Sequence, residues 1–287
     1  ESLSTFMQKV LNSLKEHYFV IAIALAVGSI SIAPQIYFIF SDAYQGIHIL
    51  GTDAEEHYLA RINEVYDGNP ALGNTFLADK NKPYMQPPLG EIIVAGLGKI
   101  LGFSAPDTNV VSKFLFPPMA FILLYVFVYK LFASKKIAIL SGCVSFFGGN
   151  LLSLTRGPQD IVGLLSFSSS VDKFLDYTRP VNPQISSLFL LGSLLFLFLA
   201  VNGNFGKNKK WIVLAGVTSG LSIYISIYNW SFLTVFAFLY IFYALYKKDR
   251  STFISLIWIV AINILITLPY WINFVQAKLQ PAYIDTS

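Results

Sequence analysis

The chain has 287 residues, of which 55% are apolar, 16% aromatic and only 13% charged, with a mean hydropathy of +0.60. A soluble domain carries about 25% charged residues, so this composition excludes an ordinary soluble enzyme and points to lipid. The formal charge of +4 carries little by itself, no nucleic-acid partner is expected, and the single cysteine, Cys143, excludes an intrachain disulfide.

Seven apolar runs, near 18–40, 112–133, 137–154, 184–201, 211–228, 230–246 and 252–273, approach the roughly 20 residues that a helix needs to cross the hydrocarbon core. The first run is longer than a signal-peptide core of about 7–15 residues and reads as a retained anchor. The strip 89–103 is apolar but short, and it contains Glu91 and Lys99. It reads as a re-entrant or interfacial helix. The alternative is an eighth span, which would invert every later loop. The expectation is an all-α integral membrane protein of about seven transmembrane helices, a single module over 1–287. The chain begins with Glu1 rather than Met, which reads as trimming or processing, and leaves room for a further C-terminal part after Ser287.

The cations support seven spans with the N-terminus inside. The short inner segments then hold eleven Lys and Arg against three acids, and the longer outer segments hold nine against thirteen. This is the asymmetry of the positive-inside rule. The inner loops are turns with positive anchors and leave no room for a nucleotide-binding domain. The outer side has one loop over 41–111 and a second over 155–183. Loops longer than about 12–15 residues are usually functional or disordered, and these are rich in aromatics, Pro and Gly. Mid-span Asp, Glu, Lys and Arg are almost absent, which argues against an ion-coupled transporter. Asn150, Asn229 and Asn263 lie near span ends or pair with neighbouring helices.

In the first outer loop, Thr52 or Asp53 can cap a helix with Glu55 and Glu56 in its first turn, and Gly68 and Pro70 end it. Tyr58, Leu59, Ile62, Val65 and Tyr66 recur at spacings of three and four, giving an amphipathic surface helix with one apolar stripe. Asp53 lies closest to the span exit and is the best candidate for a site acid; Asp42 is the second choice. Glu55 and Glu56 are expected to be solvated. His57 reads either as a substrate contact or as a hydrogen-bonded structural residue. Pro87 and Pro88 then lead into the second surface helix, where Glu91 is either a partner of the helix dipole or a site acid. In the second outer loop, Arg156 and Arg179 can clamp a phosphate with the guanidinium fork, or anchor to lipid headgroups.

The order of a span, an acidic helix reading Asp53, His57, Tyr58 and Arg61, a Gly68-Asn69-Pro70 turn and a Pro87-Pro88-Leu89 lead-in resembles the first outer loop of the GT-C glycosyltransferases. The resemblance covers most of the chain in layout and about 40 residues in motif. It implies a seven-helix membrane module with two surface helices in the first outer loop. It also implies transfer of a sugar from a polyprenyl-phosphate or pyrophosphate carrier, on the outer or lumenal face, to an acceptor glycan, lipid or protein. Asp53 matches the family's essential acid, and Tyr58 and Arg61 match a pattern of its oligosaccharyltransferase branch. A divalent cation, Mg or Mn, is possible in such a site, with Asp53, Glu56 and Asp160 as candidate ligands. Glu55 and Glu56 stand where that branch usually has aromatics. The expected reaction is inverting, with Asp53 as base, and with Arg179, Arg156, Arg61, His57 and Tyr58 as donor contacts. The alternative is a non-catalytic membrane carrier or assembly subunit for lipid-linked glycans.

Overall fold

The structure, a computed structural model, describes residues 8, 15–48, 50, 53–71, 83–84, 86–151, 178–202 and 208–280, without the side chains of 53–54 and 149–151. Every regular element among the described residues is helical: α1 (Tyr18–Ile39), α2 (Asp53–Tyr66), α3 (Leu89–Leu101), α4 (Ala105–Phe132), α5 (Lys135–Leu151), α6 (Gln184–Val201), α7 (Lys209–Leu221), α8 (Ile227–Tyr246) and α9 (Arg250–Lys278). A 3-10 turn, Ser222–Tyr224, follows α7. Five of these helices, α1, α4, α6, α8 and α9, are long and apolar enough to cross a membrane. Large apolar side chains such as Phe232, Phe236, Phe238, Leu239 and Phe242 of α8 are exposed, as a lipid-facing surface requires.

Two of the seven expected runs do not reach spanning length among the described residues. The run 137–154 becomes α5, with 17 residues. The run 211–228 becomes the 13-residue α7, and it stops inside the apolar stretch rather than at Asn229. The cause is local hydrogen bonding. Ser222 Oγ donates to the carbonyl of Ser219 (2.6 Å). Ser226 is extended, and its Oγ accepts from the amide of Asn229, so it caps α8. The run 112–133 also starts earlier than expected, because Ser104 and Asp107 bond to each other and extend α4 back to Ala105.

The chain divides into two compact units, one over 1–51 and 110–178, the other over 52–109 and 179–287. In the first, α1 crosses α4 closely: a side chain on Gly28 would meet the Phe114 carbonyl and Pro118. At one end of this unit the His17 ring stands edge-on to Tyr125 and Tyr129 and bonds the Tyr125 hydroxyl (2.9 Å), and Glu16 pairs with Lys135 (2.8 Å).

In the second unit α7 lies against both α6 and α9. Gly216 and Gly220, one turn apart, face Ile262 and Ile266 of α9, and a Cβ on either would fall 2.6–2.7 Å from an Ile Cβ. Small residues at this spacing let two helices approach in lipid. Leu197, Ala200, Ile212, Ala215, Ile241, Ala244, Leu256 and Ile259 form the buried core of the four-helix group. Polar links cross it: Trp230 Nε1 donates to Asn263 Oδ1, Asn263 Nδ2 to Ser219 Oγ, and Asn229 Nδ2 to the Ser186 carbonyl. Asn229 and Asn263 thus pair with neighbouring helices. Near Pro269 of α9, the Tyr224 hydroxyl donates to the Ile266 carbonyl (2.9 Å) and accepts from the Tyr270 amide (3.1 Å).

Candidate functional site

The site in this second unit starts from the packing of α2 on α3. Ile62 from the apolar stripe of α2 and Val94 and Ala95 from α3 are fully buried. Further along, Lys99 Nζ donates to the Val65 carbonyl (3.0 Å), and the Tyr66 hydroxyl bonds the Phe103 carbonyl (3.0 Å) and Thr108 Oγ1 (2.9 Å). These bonds fix the C-terminal ends of both helices. Their N-terminal halves then present their polar side chains to the segment that leads into α3.

Arg61 is the centre of that arrangement. Its Nε lies 2.7 Å from Glu91 Oε1, its Nη1 donates to Gln86 Oε1 (2.7 Å), and its Nη2 donates to the Gln86 carbonyl (2.9 Å). His57 Nε2 donates to the same Gln86 Oε1 (2.6 Å). A planar fork can satisfy three acceptors in one plane, which a lysine cannot. Arg61 and His57 therefore hold Gln86 and Glu91 in place through the three Arg61 nitrogens and His57 Nε2.

The cleft beside them has a volume of about 240 Å³ and is lined by Tyr58, Gln86, Pro87, Glu91, Val181, Asn182, Ile223, the stretch 225–228 and Tyr270. Glu91 is only 2% exposed. Its Oε2 is buried and has no hydrogen-bond partner among the described residues. Burial pushes the Glu91 carboxyl above the usual carboxylate value, against the pull of the Arg61 guanidinium. Burial likewise raises the Tyr58 phenol, which Arg179 and Arg61 draw down and Glu91 pushes up. Three charges thus act on one phenol.

Arg179 belongs to the turn before α6. Its Nε donates to the Asn182 carbonyl (2.5 Å), and Asn182 lines the cleft. The terminal guanidinium nitrogens make no bond to another described residue and remain available for an anion. Val181 in the same turn has φ +61, a left-handed conformation that a β-branched residue adopts only when its surroundings impose it. The imposition is visible: Val181 packs on Gly90 of α3, where a Cβ would fall 2.4 Å from Val181 Cγ1.

Of the residues expected at the site, Tyr58 lines this cleft, Arg61 and His57 bond to its lining residues Gln86 and Glu91, and Arg179 bonds to Asn182. Asp53 opens α2, but its side chain lies outside the described part of the chain, as do Arg156 and Asp160. Asp42 is exposed in the turn after α1. Glu56 is exposed as expected, whereas Glu55 is not solvated: it is 1% exposed and accepts from Asn109 Nδ2 (2.7 Å). It lies on the side of α2 that faces the start of α4. Among the described residues no three His, Cys, Asp or Glu side chains gather to hold a metal ion. Glu91 is the residue that sequence reading left undecided. Its one signal is a carboxylate in the first turn of a mostly apolar helix.

No family model, curated protein or solved structure matches this chain. What it does has to be read from its own residues.

Proposed function

We propose that the chain is an integral membrane glycosyltransferase that takes a sugar from a polyprenyl-phosphate or pyrophosphate carrier and passes it to a hydroxyl-bearing glycan, lipid or protein. In this reading α5 and α7 are short spans that complete a seven-span module, and α2 and α3 lie at its outer or lumenal surface. The cation distribution along the chain supports that orientation, with the N-terminus inside. The carrier must be membrane-borne, because nucleotide sugars are not normally supplied outside and the inner turns leave no domain to bind them.

The observation that carries the reading is the cleft: a buried carboxylate, Glu91, and a guanidinium with open donors, Arg179, act on the same phenol, Tyr58. Such a site suits a ligand that is anionic at one end and rich in hydroxyls at the other. In the transfer step the acceptor oxygen bonds the anomeric carbon and its proton passes to Asp53. The bond from that carbon to the phosphate oxygen breaks, and the electron pair leaves with the phosphate. Arg179 meets the developing charge, and direct displacement inverts the anomeric centre. The resemblance allows a divalent cation with Asp53, Glu56 and Asp160 as ligands. The described residues do not assemble such a set, and no step here passes through one.

The test is radiolabelled transfer by the purified wild-type protein from a panel of polyprenyl-phosphate sugars, with Asp53→Asn and Arg179→Ala alongside. Transfer by the wild type and its loss in both variants is expected. Full activity of Asp53→Asn removes Asp53 from the reaction. Donor binding without any wild-type transfer supports the carrier or assembly role instead.

A further inference from the structure

We infer that Glu91 is the recognition residue for the sugar of the lipid-linked donor: its Oε2 accepts a hydrogen bond from a sugar hydroxyl while Arg179 holds the phosphate of the same molecule. The inference rests on the glycosyltransferase reading and adds to it a subsite and a residue.

An acid that serves only the helix dipole stays at the helix end in water. Glu91 does not; it is 2% exposed, and one of its oxygens has no partner among the described residues. Leaving a buried polar atom unmade costs about 1–3 kcal/mol, more when it is charged, so a partner is expected from outside the chain. The identity of that partner follows from the other oxygen. Oε1 is already paired with Arg61 at 2.7 Å, so the carboxylate charge is largely met and a second cation would face the guanidinium. A neutral O–H donor meets no such repulsion. The cleft walls agree with a sugar, because Tyr58, Tyr228 and Tyr270 offer ring surfaces and Asn182 and Ser226 offer polar groups. Arg61 and His57 enter as positioning residues, through Gln86 and Glu91.

The experiment measures the binding of two probes to the full chain in nanodiscs: a polyprenyl phosphate, and the same lipid carrying one hexose, glucose or mannose. The wild type should bind a hexose-bearing lipid at least about tenfold more tightly than the bare one, the increment of a hydrogen bond to a charged group. In Glu91→Gln that ratio should fall to near one, and Arg179→Ala should weaken both lipids together. If Glu91→Gln does not fold, Glu91→Asp keeps the charge beside Arg61 but withdraws the free oxygen, and its ratio should fall too. A ratio that survives in the folded variant overturns the inference and leaves the proposed function standing. A wild type that binds both lipids equally also overturns it. A wild type that binds neither lipid overturns the inference and the proposed function together.

Discussion

Replacing Gly90 with alanine puts a methyl group where Val181 already is. The new Cβ would sit 2.4 Å from Val181 Cγ1 and 3.2 Å from its Cβ and Cγ2, against the roughly 3.5–4.0 Å that carbon atoms prefer. Something must move by about 1 Å. Gly90 is buried in a helix, and Val181 is β-branched and already at φ +61, so the turn 179–182 has to give rather than a rotamer. Overpacking of this kind costs about 1–3 kcal/mol. Alanine returns up to about 1 kcal/mol of helix propensity, which leaves a net loss of about 0–3 kcal/mol. The larger effect falls on Arg179, whose Nε is tied to Asn182 in the displaced turn. A shift near 1 Å in a positioning group can cost about a hundredfold in rate. Gly96 in the same helix is the internal control, since a Cβ there meets nothing within 4 Å. Thermal unfolding in detergent should show Gly90→Ala at or below the wild-type midpoint and Gly96→Ala at or above it. Binding of polyprenyl phosphate should weaken at least about tenfold in the first and stay level in the second. Equal midpoints and equal binding in the two variants would refute the claim that Val181 transmits packing to Arg179.

Arg61→Lys should destabilise the protein by about 1–3 kcal/mol, because an ammonium keeps the charge beside Glu91 but lacks the planar fork that also bonds Gln86, whose acceptors are left unmade; a midpoint equal to that of wild type would deny the fork its role. The raised Glu91 carboxyl has a signed consequence. Between the ordinary value of 4.5 and its higher folded value, the native state holds the proton more tightly than the unfolded chain does. Stability should therefore fall as pH rises through that window, and Glu91→Gln should flatten the profile measured by chemical denaturation. Asp249 has the opposite sign: hydrogen bonds from Thr252 lower its carboxyl below 3.8. Its contribution should be present above that value and lost as pH falls through the folded one. Asp249→Ala should cost about 1 kcal/mol as the loss of an N-cap, read from the midpoint at neutral pH and absent in strong acid.

The long apolar runs were legible from their length and unbroken apolar composition, and the stripe of α2 because its apolar residues repeat at the helix period. The short α3 was legible because Pro88 starts it and Gly102, at φ +73, stops it. The break at 222–226 was not legible. It carries no Pro or Gly, and its cause is serine hydroxyls that choose a backbone partner only in the folded chain. Glu55 and Glu91 were opaque for a related reason. Each sits in the first turn of a helix, where sequence predicts solvent, and each is buried by a partner distant in the chain, Asn109 and Arg61. Periodicity reports which face of a helix is apolar. It does not report that a polar face has been covered.

The Tyr224 phenol stands between the Ile266 carbonyl and the Tyr270 amide beside Pro269, two groups that an ideal helix joins to each other. That stretch of α9 thus shares its backbone bonds with a residue 42 positions earlier in the chain. Without the phenol those two groups would have only each other to bond in a medium that holds no water. The turn after α7 and this stretch of α9 therefore satisfy their polar groups as one unit, and removing the Tyr224 hydroxyl should be felt in α9.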